Sequence, residues 1–153
     1  MPKVNPIPEG YHTLTPYLAI KDADKAIEFY KKAFNATELF RMNGPDGKVA
    51  HAEIQIGNSR MMLADEFAQM GHLGPKTRGG TTVSLMIYVE DCDAIAKQAL
   101  AAGMTEKKPM EDQFYGDRSG TYEDPYGHVW TIGTHKEDVS PEEMDRRAKA
   151  KFS

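Results

Sequence analysis

Cysteine is nearly absent from the sequence, with Cys92 as its single thiol. One cysteine cannot build a disulfide framework, so we expect the protein to work in the reducing cytoplasm. No apolar run reaches the roughly 20 residues that a membrane-spanning helix needs, which predicts a soluble protein. Residues 1–11 contain three prolines and no apolar segment, and they predict an extended N-terminal arm in place of a signal peptide.

The chain also lacks an excess of positive charge, because its formal net charge is −4. Binding to nucleic acid would favour a basic face, and we expect neither a nucleic-acid nor a membrane partner. Hydrophobic residues make up 40% and charged residues 27% of the 153 positions, which is typical of a globular protein. This length suits one compact domain or two small modules that share a core.

An internal repeat organises the chain. The segment IKDAD at 20–24 matches VEDCD at 89–93, an offset of 69 residues. In both copies an aspartate stands between the end of an apolar strand and a helical pattern, where Asp is a favoured N-cap. Alternating segments and turn residues follow, and the same offset carries RMML at 60–63 onto VWTI at 129–132. The pattern predicts a βαβββ module in each half.

The predicted fold class is therefore α+β: two paired βαβββ modules that form a cupped, mostly antiparallel sheet with helices on its convex face. Ser140, Pro141 and Glu143 are typical of a helix start, which predicts a helix at the end of the chain. The predicted segments are the arm at 1–11, a first module at 12–66, a linker or lid at 67–81, a second module at 82–135 and a C-terminal helix at 136–153.

The alternation of side chains predicts two unlike faces for each sheet. The helix-covered face should carry Leu14, Leu18, Ile20, Met61, Leu63, Val83, Leu85, Ile87, Val89, Trp130 and Ile132. The other face should carry Thr13, Thr15, Tyr17, His51, Glu53, Gln55, Met62, Ala64, Ser84, Met86, Tyr88, Tyr122 and Thr131. This blend of aromatic, thioether and polar groups predicts a small-molecule pocket, although a merely solvated sheet face is the alternative.

Two clusters carry candidate chemistry. His51 and Glu53 stand two apart on one strand, so they share a face and can serve as catalytic acid and base. The alternative is a polar surface pair or a dimer-interface pair. Phe114, Tyr115 and Arg118 belong to a loop that can cover a pocket, unless Arg118 only braces the loop by pairing with its neighbour Asp117.

Histidines near the only tryptophan suggest a metal site at first sight. The seven-residue separation of His128 and His135 places them on opposite faces of one strand, which argues against it. We expect His128 to be structural and Trp130 to be a core residue whose indole N–H needs a partner. His135 shares the parity of Thr131 and should lie at the pocket edge or contact solvent.

Four segments resemble the vicinal oxygen chelate superfamily, which includes glyoxalase I, bleomycin-resistance proteins and extradiol dioxygenases. They are TPYLAIKDADKAIEFYKKAFNATELF, HAEIQIGNSRMMLADE, VSLMIYVEDCDAIAKQALAAG and DPYGHVWTIGTH. The resemblance is greatest to the PhnB-like branch, and it covers residues from about 12 to 139 in motif order. It implies paired βαβββ modules, a cupped sheet and a homodimer.

The resemblance also implies where a divalent metal would be bound. Its ligand positions correspond to Thr15, Met62, Ser84 and Thr131. Three hydroxyls and a thioether cannot replace imidazole and carboxylate, so we expect neither a metal nor another cofactor.

The favoured interpretation is a small-molecule-binding protein of the glyoxalase/bleomycin-resistance type that lacks the usual metal ligands. The alternatives are a lyase, isomerase or dioxygenase-like enzyme that uses His51 and Glu53, with or without a rearranged metal site, and a structural or regulatory dimer. The candidate ligand-binding residues are Thr15, Tyr17, Gln55, Met62, Ser84, Met86, Tyr88, Phe114, Tyr115, Arg118, Tyr122 and Thr131.

Overall fold

The computed structural model describes residues 3–153, so residues 1 and 2 of the predicted arm lie outside the described residues. The chain divides into two compact units, with the boundary between Thr81 and Thr82. Each unit contains a four-stranded mixed sheet and a long helix between its first two strands. The predicted α+β class with two βαβββ modules is confirmed.

Both units have the same topology. The first contains β1 (Tyr17–Ile20), α1 (Ala23–Phe34), β2 (Thr37–Asn43), β3 (Val49–Ile56), β4 (Ser59–Asp65), a 3-10 turn (Ala68–Met70) and α2 (Pro75–Arg78). The second contains β5 (Ser84–Tyr88), α3 (Cys92–Ala102), β6 (Thr105–Asp112), β7 (Asp117–Glu123), β8 (Val129–His135) and α4 (Pro141–Phe152). The strand orders are β1-β4-β3-β2 and β5-β8-β7-β6, and the first strand of each unit pairs in parallel with the last.

The core of the first unit lies between α1 and one face of its sheet. Helix α1 contacts all four strands, and its buried side chains recur at helical spacing. On the sheet, the predicted core positions Leu18, Ile20, Met61 and Leu63 are buried. Each fully buried aliphatic side chain of this kind contributes about 2 kcal/mol. The hydrophobic pattern therefore determines which sheet face the helix covers, and it leaves the other face free of the helix.

The first module was predicted to begin at residue 12, but strand β1 begins only at Tyr17, because residues 12–16 do not pair as a strand. Thr15 Oγ1 donates to the carbonyl of His12 at 3.1 Å, and Pro16 has no N–H to give to a ladder. The prediction that Leu14 packs under the helix is wrong, since its side chain is 88% exposed. Val83 is likewise outside β5 and 63% exposed, so its predicted core position is also wrong.

Both helices begin at the predicted aspartates, but the caps differ. Asp91 Oδ1 accepts the N–H of Ala94 at 3.1 Å, as a local N-cap should. Asp22 caps nothing with its side chain and lies in the left-handed region at φ 76. There, Asp65 at the end of β4 accepts the N–H groups of Asp22 and Ala23 at 3.1 and 2.9 Å. A residue from the sheet thus performs the capping role.

The second unit packs α3 on β6, β7 and β8 around Trp130. The indole N–H of Trp130 donates to Asp124 Oδ2 at 2.9 Å, which provides the partner that the sequence called for. Asp124 Oδ1 also accepts the N–H of His128 at 2.9 Å, so the backbone of His128 closes the turn before β8. Helix α4 begins as predicted, with Ser140 Oγ accepting the N–H of Glu143 at 3.2 Å.

Segment 67–81, the predicted linker or lid, contacts the first unit. Phe67 and His72 form an isolated antiparallel bridge, and the N–H of Gly74 donates to Glu66 Oε2 at 2.9 Å. A Cβ at Gly74 would lie 2.9 Å from the carbonyl oxygen of Ala19, so this backbone passes directly over β1. Within residues 3–153, no helix is both long and apolar enough to cross a membrane.

Candidate functional site

The helix-free face of the first sheet gathers most of the candidate site residues of that unit. Tyr17 is in register with Met62, and Met62 is in register with Glu53, so these three side chains share one face. His51 stands two residues before Glu53 and lies on the same face. The neighbouring strand β2 adds Phe40 opposite Glu53 and Met42 opposite His51. The predicted common face of His51, Glu53, Tyr17 and Met62 is therefore observed.

Four polar side chains on this face are in contact, and we call them the Tyr17 cluster: Tyr11, Tyr17, His51 and Glu53. Tyr17 Oη lies 2.7 Å from His51 Nδ1, and His51 Nε2 lies 3.4 Å from Glu53 Oε2. The phenol of Tyr11 donates a hydrogen bond to Glu53 Oε1. Partial burial of Tyr17 raises the pKa of its phenol above the usual value, so the phenol is protonated at neutral pH.

Apolar side chains surround the Tyr17 cluster. Tyr17, Phe40 and Met42 are 47%, 49% and 51% exposed, and Met62 is partly exposed. The Tyr17 ring centroid lies 5.4 Å from that of His51 and 5.4 Å from the edge-on ring of His72. A half-exposed aromatic and thioether surface around a few convergent polar groups is the usual composition of a small-molecule site.

Gln55 and Thr15, which were also predicted on this face, are engaged with other groups. Gln55 Oε1 accepts from Arg60 Nε at 3.1 Å, and its amide donates to the carbonyl of Gly57 at 3.1 Å. Thr15 lies in the irregular segment before β1 and bonds to His12, as described above. Gln55 therefore braces the end of the β3–β4 hairpin, at a distance of two residues from Glu53.

The helix-free face of the second sheet carries Ser84, Met86, Tyr88 and Thr131. Met86 is in register with Thr131, and Tyr88 with Gly133. Gly133 leaves room for its neighbour, because a Cβ there would lie 3.0 Å from Cε of Met86. Met86 and Tyr88 are both exposed, so this sheet also presents a thioether and an aromatic ring away from its helix.

A second polar network on this face was missed by the sequence analysis. Tyr88 Oη donates to Asp117 Oδ2 at 2.8 Å, while His135 Nδ1 lies 2.8 Å from Asp117 Oδ1 and its Nε2 lies 2.7 Å from Asp138 Oδ1. Asp117 is buried. Hydrogen bonding to Asp117 raises the pKa of Tyr88, and hydrogen bonds to Asp117 and then Asp138 raise the pKa of His135. The shared parity of Asp117 and His135 in paired strands was the available signal.

The predicted placement of Tyr122 on the helix-free face is wrong. Tyr122 is opposite Trp130 in the ladder and is fully buried on the helix-covered face. Its Oη would lie 2.7 Å from a Cβ at Gly120, so the glycine makes room for the ring. Thr121, opposite Thr131, occupies the helix-free face in its place, with the two hydroxyl oxygens 3.4 Å apart.

The predicted roles of Arg118 also need correction. Its guanidinium forms two hydrogen bonds of 2.9 Å with Asp93 in the first turn of α3 and approaches Asp112 at 3.3 Å. These carboxylates raise the pKa of Arg118 further above its usual range. Arg118 therefore faces the helix and does not pair with its neighbour Asp117, which bonds to Tyr88 and His135.

Phe114 and Tyr115 form the turn before β7, and α4 packs against that turn. The Phe114 ring lies 5.8 Å from the Phe152 ring and 5.3 Å from the Tyr115 ring, centroid to centroid. Arg147 donates to the carbonyl of Phe114 at 3.1 Å. Part of the Phe114 surface is therefore covered by the C-terminal helix, whereas Tyr115 keeps an exposed ring.

The four positions that the resemblance marks for metal ligands do not fit a divalent cation. Thr15, Met62, Ser84 and Thr131 offer hydroxyl and thioether donors, whereas such sites use imidazole, thiolate or carboxylate. Throughout residues 3–153, no group of three or more His, Cys, Asp or Glu side chains is arranged to hold a metal ion.

Comparison with known proteins agrees with this architecture. An uncharacterized protein of Mycobacterium bovis is 43% identical over 134 residues, which cover 86% of this chain and 88% of that protein. Protein PA1353 from Pseudomonas aeruginosa has the same fold, with a TM-score of 0.67 at 19% identity over 82% of this chain and 99% of its own. The PhnB protein from Bacillus cereus gives 0.63 at 19% identity over 80% of this chain and 99% of its own.

The family itself follows from the sequence match. Residues 11–132 match the family model of the Glyoxalase/Bleomycin resistance protein/Dioxygenase superfamily, which covers both βαβββ modules up to the middle of β8. The match confirms the resemblance that the four sequence segments indicated. The chain belongs to the Glyoxalase/Bleomycin resistance protein/Dioxygenase superfamily.

Proposed function

We propose that the protein binds an amphipathic small molecule, with an aromatic or otherwise flat apolar part, against the helix-free face of its first sheet. One observation carries this proposal: Tyr17, Phe40 and Met42 are about half exposed beside the polar Tyr17 cluster. Leaving such apolar area in water costs free energy that a ligand would recover by covering it. The polar groups would orient the ligand by hydrogen bonding.

The proposal extends to the second sheet and to assembly. Met86, Tyr88 and Thr131 present a similar thioether, aromatic and hydroxyl combination on a helix-free face. We propose a homodimer as the working form, as the family resemblance implies. We also propose that it binds without a metal, because the metal positions of the family carry hydroxyls and a thioether here. Binding of this kind needs no catalytic group.

A ligand screen with two matched variants tests the proposal. Aromatic and amphipathic compounds are screened by thermal shift, and affinities of the hits are measured by calorimetry. Phe40→Ala should weaken binding about five- to thirtyfold, because it removes a large apolar contact worth about 1–2 kcal/mol. Leu100→Ala, which removes an exposed apolar side chain from α3, should leave affinity within about twofold. Equal losses in both variants would contradict the proposed face.

The Tyr17 cluster favours an enzyme as the second candidate. His51 lies between a phenol and a carboxylate, an arrangement that suits a general acid and base. The same screen separates the two functions, because ligands recovered after incubation can be analysed by mass and by isomer composition. A lyase or isomerase would return altered compounds, and His51→Gln would return them unchanged. Recovery of unaltered ligand from the wild-type protein favours binding alone.

A further inference from the structure

The positions of the protons in the Tyr17 cluster determine whether the cluster donates a hydrogen bond to a ligand or accepts one from it. Glu53 carboxylate only accepts hydrogen bonds, so its position 3.4 Å from His51 Nε2 favours a proton on that nitrogen. Neutral His51 then has a lone pair on Nδ1, and the phenol of Tyr17 must donate to it over 2.7 Å. Tyr17 Oη has no second proton, so it presents lone pairs to a ligand. A ligand bonded to it must therefore be a donor.

We infer that Tyr17 and His51 take up the proton of a ligand hydroxyl, so that the site holds a weakly acidic phenol or enol as its anion. This inference rests on the proposed binding face. In the transfer, the ligand O–H bond breaks and its proton bonds to Tyr17 Oη. At the same time the Tyr17 O–H bond breaks and its proton bonds to His51 Nδ1. The ligand anion, an imidazolium and an intact phenol remain, and no other reactant is needed.

Each neighbour of His51 assists this transfer. Glu53 stabilises the imidazolium at 3.4 Å, and the hydrogen bond from Tyr11 holds the Glu53 carboxylate in place. After the transfer, His51 Nδ1–H donates to Tyr17 Oη, and the Tyr17 O–H becomes free to donate to the ligand anion. Hydrogen bonds to a charged oxygen are stronger than neutral ones. The arrangement therefore favours the ionised ligand over the neutral one.

Among the titratable groups near the cluster, the hydrogen bond to Tyr17 Oη marks His51 as the proton acceptor. The Arg60 guanidinium lies 5.2 Å from the centroid of the Tyr11 ring and is bonded to Gln55 and to the carbonyl of Glu9. His72 packs edge-on against the Tyr17 ring at 5.4 Å between centroids. On β2, His51 meets uncharged groups: Met42 lies opposite it in the ladder, and the Phe40 ring lies 6.2 Å away, centroid to centroid. The surrounding apolar rings also favour an aromatic hydroxyl compound over an aliphatic one.

The test compares a probe that carries an ionisable hydroxyl with a probe that lacks it. 4-Nitrophenol has a weakly acidic hydroxyl and a visible absorption band only as its anion, whereas 4-nitroanisole has the same ring and no hydroxyl. Binding is measured by equilibrium dialysis, and ionisation of bound nitrophenol is measured by absorbance across a pH series. We expect bound nitrophenol to ionise at a pH at least about one unit below that of the free compound, a tenfold change in its ionisation ratio.

Three variants assign the effect to its residues. Tyr17→Phe and His51→Gln should each abolish most of this shift, and binding of 4-nitroanisole by the same variants reports separately whether the binding face is retained. His12→Gln makes the same substitution at an exposed histidine outside the cluster, and it should keep the shift.

The outcomes separate this inference from the proposed function. The proton transfer is overturned if bound nitrophenol stays neutral, or if the ionisation shift survives in both Tyr17→Phe and His51→Gln. In either case, binding of the two probes still supports the binding face. Failure of both probes and of the wider aromatic panel to bind overturns the binding face and the inference together.

Discussion

At the scale of single residues, Asp124 shows how one buried carboxylate organises the hairpin between β7 and β8. Its Oδ1 accepts the N–H groups of Tyr126 and His128 at 2.9 Å each, and its Oδ2 accepts the indole N–H of Trp130 at 2.9 Å. The side chain is buried, so water does not compete for its carboxylate oxygens. One residue thus joins the turn to the core around Trp130.

Replacement of Asp124 should therefore strongly destabilise the folded protein. Asp124→Ala removes the shared acceptor of three buried or partly buried donors, and we expect a loss of about 3 kcal/mol in the free energy of unfolding, measured by urea denaturation. Asp46→Ala is the matched control, because Asp46 accepts a single N–H from Lys48 at 3.0 Å in an exposed turn. That change should cost less than about 1 kcal/mol. Equal losses in the two variants would contradict the stabilising role assigned to the three hydrogen bonds of Asp124.

At the scale of elements, the last strand of each unit caps the helix of that unit. Asp65 in β4 accepts the first N–H groups of α1. Thr134, which the 69-residue offset matches to Asp65, accepts the N–H of Cys92 at 3.0 Å at the start of α3. The sequence repeat predicted both helix starts and expected an aspartate within each start segment to act as the cap. A cap that comes from a distant strand has no local sequence signal, which is why it was missed.

The distant cap gives a measurable prediction. Asp65→Ala removes the acceptor of three backbone N–H groups, those of Asp22, Ala23 and Val49. The N–H of Val49 donates to Asp65 Oδ2 at 2.7 Å. We expect the free energy of unfolding to fall by about 2 kcal/mol in urea denaturation. The control is Asp22→Asn, because Asn tolerates the left-handed backbone at φ 76 and the Asp22 side chain accepts no capping bond. A larger loss in the control than in Asp65→Ala would contradict this cap assignment.

The two hairpins also explain how far the site could be predicted. The β3–β4 turn joins Ile56 to Ser59, whereas the β7–β8 turn joins Glu123 to Val129. The longer turn shifts β7 by one residue relative to the 69-residue offset. By the offset, Tyr122 corresponds to Glu53. In the ladder, however, the residue opposite Thr131 is Thr121, so Thr121 is the structural equivalent of Glu53. A one-residue slip reverses the face of every side chain in a strand. His51 and Glu53 needed no such offset, because their shared face follows from alternation alone.

At the scale of the whole molecule, the modules and their helix-covered faces were predictable because each depends on local periodicity repeated twice. The network of Tyr88, Asp117 and His135 was not, since it joins three strands through their registers. The Tyr17 cluster was predicted only in part. Alternation gave His51, Glu53 and Tyr17, but Tyr11 reaches Glu53 from a segment without regular structure. Contacts of that kind depend on tertiary packing.

The free energy of unfolding of the whole molecule should depend on pH through the network of His135, Asp117 and Asp138. Asp117 and Asp138 raise the pKa of His135 in the folded state above its usual value near 6.5. Folding therefore favours the protonated ring. The resulting stabilisation is fully present below about pH 6.5 and is lost as the pH rises through the higher folded pKa.

Comparison of wild type with His135→Gln between about pH 5.5 and 9 isolates this contribution, because most carboxylates stay ionised in that range. The wild-type advantage in urea denaturation should be largest at the acidic end and should shrink towards the alkaline end. Glu143, whose pKa is lowered to about 2 by Arg146 and Arg147, does not titrate in this window. A wild-type advantage that grows with pH would mean that the two carboxylates do not favour the charged ring.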